Sequence, residues 1–387
     1  MDVFFIIFAA SNENNHRMDL MKKLVLTVVA GLMALGVVAQ GSQFTATAEV
    51  EGMINNVMYY LTDAFGGCDN YGVKNVVDGK VDFSFDMDEV GQLVIVFSYT
   101  SRASVPAIPG EHLVIGGDLQ HLTYGGSPVY EEFGKVMTAT QTLRDAYWTF
   151  DFKTSCKNEI LGKSPEEVME LYRSKNYGLY RGVADACLSY MKEHPDNVVS
   201  MLLLPSLMDN DDLDKARGLI KEELLLGPLN PYYEAAVNAA KTYGFSNPLL
   251  DKPAPELDMT DLDGKPLSLS SLRDKWVLLD FWESNCGNAI SQFPILKEMY
   301  AQYQDRLEIV GVDWEDNEED WKSAVTKYQL PWMNVNGTFD MDDPKNPMNL
   351  YETTATPYYF LIAPSGKIVK TGGSAGDYKY LFELIWQ

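Results

Sequence analysis

Seven residues near the start of the last third of the chain, Trp276-Val277-Leu278-Leu279-Asp280-Phe281-Trp282, form an apolar run interrupted only by Asp280. Ile290, Phe293, Leu296, Tyr300 and Tyr303 then recur at helical spacing. An unbroken apolar segment of strand length predicts a strand covered on both faces, and the amphipathic stretch behind it supplies one of the covers. The same alternation continues. A strand is predicted over Leu307 to Val312, a helix from near Glu318, strands at Tyr358 to Ile362 and Lys367 to Lys370 with a Ser365-Gly366 turn between them, and a last helix ending near Trp386. This order predicts an α/β domain over residues 249–387, with helices on both faces of a small mixed sheet. Three prolines between Pro248 and Pro255 mark its boundary.

Two other regions precede it. From 43 to 127 short alternating or β-branched segments recur (Phe44 to Val50, Val57 to Leu61, Val81 to Phe85, Leu93 to Tyr99, Leu113 to Ile115), separated by Asp78-Gly79, Pro109-Gly110 and Gly116-Gly117. This is the pattern of a small antiparallel β-sandwich. From 128 to 247 the period becomes helical. Ser164-Pro165-Glu166-Glu167 reads as an N-cap, a first-turn proline and a capping-box glutamate, and His194-Pro195-Asp196-Asn197 ends one helix and begins another.

Residues 1–39 read as a leader. Lys22-Lys23 follow Met21, the expected start; an apolar run of 15 residues, Leu24 to Val38, follows, with Val37 and Ala39 at the small-residue positions before a cleavage site. The run is shorter than the ~20 residues a membrane-spanning helix needs. The expectation is export to the periplasm or cell envelope, a mature protein beginning near Gln40, and no membrane span after cleavage. With no cysteine near the cut, lipid attachment is not suggested. The formal charge of -24, from 31 basic and 55 acidic residues, argues against nucleic acid as a partner.

Four cysteines, Cys68, Cys156, Cys187 and Cys286, lie scattered without a CxxC pair. Cys187 falls in a helical run and reads as a small buried residue. Cys68 and Cys156 fall in predicted loops, which leaves a bridge between them open. His112, His121 and His194 have no ligand spacing with a cysteine, so neither a metal nor a cofactor is expected. The acidic stretch Asp313 to Asp320, and Asp340, Asp342 and Asp343, are read as solvated loops and a helix N-terminus, where carboxylates are favoured, rather than calcium sites. Cys286 is different. It falls where the buried strand ends and a helix begins, and the unpartnered N–H groups of a helix start favour thiolate over thiol.

The stretch Val277 to Ala289, VLLDFWESNCGNA, followed by Phe293-Pro294, resembles the active-site strand and helix of TlpA/ResA-like thioredoxin-family proteins of AhpC/TSA type. Pro253-Ala254-Pro255, Asp263-Gly264 with Leu267 to Leu272, Ile309 to Asp313, and Ala355-Thr356-Pro357 match the same family in order. The sandwich, with Pro109-Gly110-Glu111 and Gly126-Ser127, resembles the domain of unknown function that often precedes it. The resemblance implies a thioredoxin-like fold. It also makes Cys286 the nucleophile, Pro357 after Thr356 a cis proline lying against it and receiving an extended substrate backbone, Asp280 the buried acid, and Trp282, Thr356 and Asn285 substrate-side residues.

One departure changes the chemistry. The family's second cysteine is replaced by Ala289, so the intramolecular step that releases a mixed disulfide is missing, while the first attack needs only one sulfur. A peroxiredoxin-type peroxidase is disfavoured by Glu283 where a threonine is expected, and a Cys-His hydrolase by the lack of histidine in this region. Two readings follow. One is a thiol-disulfide oxidoreductase or thiol-capturing protein acting through Cys286 on envelope proteins with disulfides or thiols. The other is a redox-inactive thioredoxin-fold module that binds a protein or peptide. Oligomeric state is not legible.

Overall fold

The computed structural model describes residues 43–63, 68–99, 101–243, 245, 247–313, 318–337, 342–353 and 356–386. The leader, residues 314–317 of the acidic stretch, Asp340 and the side chain of Cys68 lie outside them. The chain forms two compact units, one from residues 43–149 and 179–239, the other from residues 150–178 and 240–386.

The first unit begins with strands β1 (Gln43–Ala48), β2 (Asn56–Asp63), β3 (Cys68–Asn75), β4 (Val81–Asp86), β5 (Gly91–Val96), β6 (Arg102–Ala107), β7 (His112–Gly117) and β8 (Leu122–Gly126). They make two four-stranded sheets, ordered β4-β1-β7-β8 and β3-β2-β5-β6. Alternation decides which residues go inside: in β4, Val81, Phe83 and Phe85 are buried and Asp82, Ser84 and Asp86 exposed. The Tyr59 ring of β2 lies 5.4 Å from that of Phe83 and 5.8 Å from that of Phe85, which places the two sheets face to face. The sandwich is not wholly antiparallel, because β1 pairs with β7 in parallel.

Helices α1 (Pro128–Ala139), α2 (Gln141–Trp148), α3 (Phe152–Ser155), α4 (Pro165–Glu193), α5 (Val198–Leu202), α6 (Asn210–Leu219), α7 (Glu222–Leu225) and α8 (Asn230–Tyr243) follow. The capping box at α4 is present: the Ser164 N–H donates to the Glu167 carboxylate at 2.7 Å and the Glu167 N–H to Ser164 Oγ at 3.3 Å. The helices of the stretch 128–247 divide between the two units. Phe152, Cys156, Val168 and Met169 share one core with Trp276, Leu278 and Trp282, and this burial draws residues 150–178 into the C-terminal unit. Cys187 is buried in α4, and Cys156, in the turn just after α3 as expected, is a free thiol buried in the core. Among the described residues no helix is long and apolar enough to cross a membrane.

The second unit is built on a six-stranded sheet, β14-β13-β10-β11-β12-β9, from β9 (Thr260–Asp261), β10 (Trp276–Phe281), β11 (Leu307–Asp313), β12 (Met333–Asn336), β13 (Tyr358–Ile362) and β14 (Ile368–Thr371). Strands β10, β11 and β12 run parallel, and β13 lies antiparallel beside β10. Helices α9 (Gly287–Tyr303), α10 (Glu318–Tyr328), α11 (Pro347–Leu350) and α12 (Ala375–Ile385) accompany them. One face of β10 sends Trp276 and Leu278 into a core with Phe293, Leu296 and Phe382; the other sends Val277, Leu279 and Phe281 into a core with Tyr351 and Phe360. This is the α/β thioredoxin-like arrangement, with both sheet faces covered. Asp313 is fully buried at the end of β11 and accepts a 3.2 Å bond from Asn336 Nδ2, so it is not part of a solvated loop.

Candidate active site

Every residue of β10 is buried, which leaves the chain little choice but to emerge at the carboxyl end of the sheet, where open α/β sheets place their sites. The Trp282 N–H still donates to Val312 O at 3.0 Å. Residues 283–285 then turn away from the sheet, and Cys286 takes the N-cap position of α9 with extended backbone, φ -80 and ψ 100. Its side chain makes no capping bond. The thiol is half-buried and is directed across the site, where Sγ–H donates to Thr356 O at 3.5 Å.

Thr356 and Pro357 lead into β13, and the bond between them is cis. The Thr356 hydroxyl donates to Glu283 Oε1 at 3.0 Å, and the Cys286 N–H donates to Glu283 O at 3.1 Å. Cys286, Glu283, Thr356 and Pro357 therefore form one cluster from two segments far apart in sequence. Ala289 sits on the first turn of α9, 1% exposed, with no sulfur in reach of Cys286 from that position.

Asp280 lies deeper, on β10, and neither carboxylate oxygen has a hydrogen-bond partner among the described residues. Burial away from compensating donors penalises the charged form and pushes its pKa up to about 8. Its ladder partner on β13 is Tyr359, whose fully buried hydroxyl also has no hydrogen-bond partner among the described residues. Desolvation first, then the nearby Asp280 carboxyl, holds that phenol well above its usual range.

Trp282 was expected on the substrate side but is fully buried, with its ring edge-on to Phe293 at 5.4 Å, so it supports the site from within the core. Gly311, opposite Asp280 in the ladder, makes room for it: a Cβ there would stand 2.5 Å from Asn334 Oδ1 and 3.0 Å from Trp282 Nε1. Asn285 is exposed at the rim. Burial raises the pKa of both Cys156 and Cys187, the former also by the neighbouring Glu159, which leaves Cys286 as the half-exposed thiol among the three described. Sequence reasoning missed the roles of Glu283 and Tyr359. Tyr359 falls in a predicted strand, but nothing in its local sequence or in that of Glu283 marks either residue for the site.

Residues 250–371 match the AhpC/TSA family. The chain is 30% identical over 122 residues to the thiol-disulfide oxidoreductase ResA of a Bacillus cereus strain, a match covering 31% of this chain and 68% of that protein. The chain belongs to the AhpC/TSA family. A second relative, the thiol-disulfide oxidoreductase ResA of Bacillus subtilis, is 32% identical over 118 residues, 30% of this chain and 63% of that protein. A solved structure, the thioredoxin domain of a thiol-disulfide oxidoreductase from Bacteroides vulgatus, is 30% identical and covers 35% of this chain and 97% of its own, with a TM-score of 0.32. The AhpC/TSA match contains all the site residues described above and none of the sandwich.

Proposed function

We propose that this chain carries out thiol-disulfide exchange through Cys286 alone, on disulfide- or thiol-bearing proteins of the cell envelope. The observation that carries the reading is the half-buried Cys286 Sγ at a helix N-cap, against the carbonyl before a cis proline, with a buried alanine three residues on. The kinship with thiol-disulfide oxidoreductases supports it. In the first step the Cys286 thiolate attacks one sulfur of a substrate disulfide, forming a mixed disulfide and expelling the other sulfur as a thiolate. An external small thiol then attacks the mixed disulfide; Cys286 leaves as thiolate, and the substrate half departs joined to that thiol. The cluster Thr356-Pro357 borders the sulfur and is the surface against which an extended substrate segment lies. The lysine pair and apolar run of the leader support export.

Limiting iodoacetamide on the native protein tests the accessibility this requires. Cys286 is expected to be alkylated at least about ten-fold faster than Cys156 or Cys187, whose thiols are buried and raised in pKa. If Cys286 is as inert as the other two, exchange is ruled out and the surface beside Pro357 serves binding alone.

A further inference from the structure

We propose that Glu283 is a positioning residue: its carboxylate holds Thr356 in place and thereby holds the carbonyl that covers Cys286 Sγ. The inference rests on Cys286 being the reacting sulfur. Three contacts close a ring. The Cys286 N–H donates to Glu283 O at 3.1 Å, the Thr356 hydroxyl donates to Glu283 Oε1 at 3.0 Å, and Cys286 Sγ–H donates to Thr356 O at 3.5 Å. The turn carrying the sulfur and the segment bearing Pro357 are 73 positions apart at the side-chain bond, and no sequence-local restraint sets their separation. A hydroxyl bonded to a carboxylate is a charge-assisted bond in a half-buried setting, stronger than one to a neutral acceptor. Thr356 is thus held by its side chain on one side and meets Sγ through its main chain on the other.

Both ends of the ring have consequences. Held in place, the Thr356 carbonyl shields the sulfur from small reagents and presents a fixed edge to a substrate. Released, it uncovers the sulfur and loses that edge. A carboxylate near the sulfur also acts by its charge, and the two roles separate cleanly. Glutamine keeps an oxygen acceptor for the Thr356 hydroxyl and removes the charge, whereas alanine removes both.

The test compares Glu283→Ala, Glu283→Gln, Thr356→Val and Thr356→Ser with the parent protein, at one near-neutral pH. Iodoacetamide reports exposure of Cys286, and a cystine-bridged peptide reports exchange. Glu283→Ala and Thr356→Val are expected to speed alkylation of Cys286 about ten-fold and to slow peptide exchange by a similar factor. The conservative variants Glu283→Gln and Thr356→Ser are expected to stay within about two-fold of the parent in both, the residual that a retained bond allows. The double variant Glu283→Ala/Thr356→Val should lose no more than either single one, since each removes the same bond. Cys156 and Cys187 stay unreactive in every folded variant and so report loss of fold. Equal alkylation rates across all four variants overturn the proposal, as does a Glu283→Gln effect equal to that of Glu283→Ala, which assigns the effect to charge. A parent that alkylates at Cys286 but exchanges with no peptide disulfide contradicts the proposed reaction, and the alkylation pattern still decides whether the Thr356 tether exists.

Discussion

Ala289→Cys is expected to release its own mixed disulfide without waiting for an external thiol, and to turn over a peptide disulfide at a rate on the order of 10²-fold or more above the parent with dithiothreitol as reductant. The reason is geometric. Residues 286 and 289 span the N-cap and first turn of α9, and side chains three apart on a helix are neighbours whose Cα separation falls within disulfide range. A thiolate at position 289 attacks Cys286 sulfur in the mixed disulfide, closes an internal disulfide and expels the substrate half as a thiolate. Attack from within the molecule replaces a bimolecular encounter with an external thiol, which is where the rate gain comes from. Because Ala289 is 1% exposed, the added sulfur must be accommodated in the core beside Phe293, at about 1–3 kcal/mol of stability. Steady-state release of the reduced peptide measures the gain. A variant that forms its internal disulfide but engages no substrate contradicts the exchange reading, since the site then lacks only the substrate.

Stability is expected to fall steeply with pH because of Asp280. Its folded-state pKa is raised from 3.8 to about 8 by burial. Between these values the folded form binds a proton that the unfolded form has lost. The contribution is therefore fully present below pH 3.8 and is lost as pH rises through about 8. The slope is about 1.4 kcal/mol per pH unit, and the whole window on the order of 5 kcal/mol, because the fully buried group has no solvent to screen it. Asp280→Asn keeps the shape and cannot ionise. Urea midpoints at pH 5 and pH 8 should differ strongly in the parent and little in the variant, with the variant the more stable of the two at pH 8. An equal pH slope in both proteins would place its origin elsewhere. Asp280 and its ladder partner Tyr359 thus set two buried oxygen-bearing groups, without hydrogen-bond partners among the described residues, side by side beneath the site.

The α/β domain was legible because the apolar run Trp276 to Trp282 has the length of a strand and is followed by a helical period, which together mark a strand buried on both faces. In the sandwich, the strands with clean alternation were legible and three others were not. Those three, β3 with Asn70 and Gly72, β6 with Pro106, and β8 ending in Gly125-Gly126, are all edge strands. Edge strands tolerate glycine, proline and polar residues, and so lose the pattern that marks a strand. The parallel pairing of β1 with β7 joins segments too far apart for any local signal to specify. The apolar stripes of the helices announced burial without naming what they are buried against, so the division of residues 128–247 between two units was not visible. At the site, Cys286 stood out through its place between a buried strand and a helix, and Thr356 and Pro357 through the resemblance of their surroundings. The bond between Glu283 and Thr356 did not, because it exists only once the fold brings the two segments together.

The most direct test of single-cysteine exchange is the intact mass of the native protein after incubation with a cystine-bridged peptide. One adduct of half-peptide mass is expected, located on Cys286, stable until a small thiol is added and missing in Cys286→Ser. No adduct on the parent, or an undiminished adduct on Cys286→Ser, would contradict it.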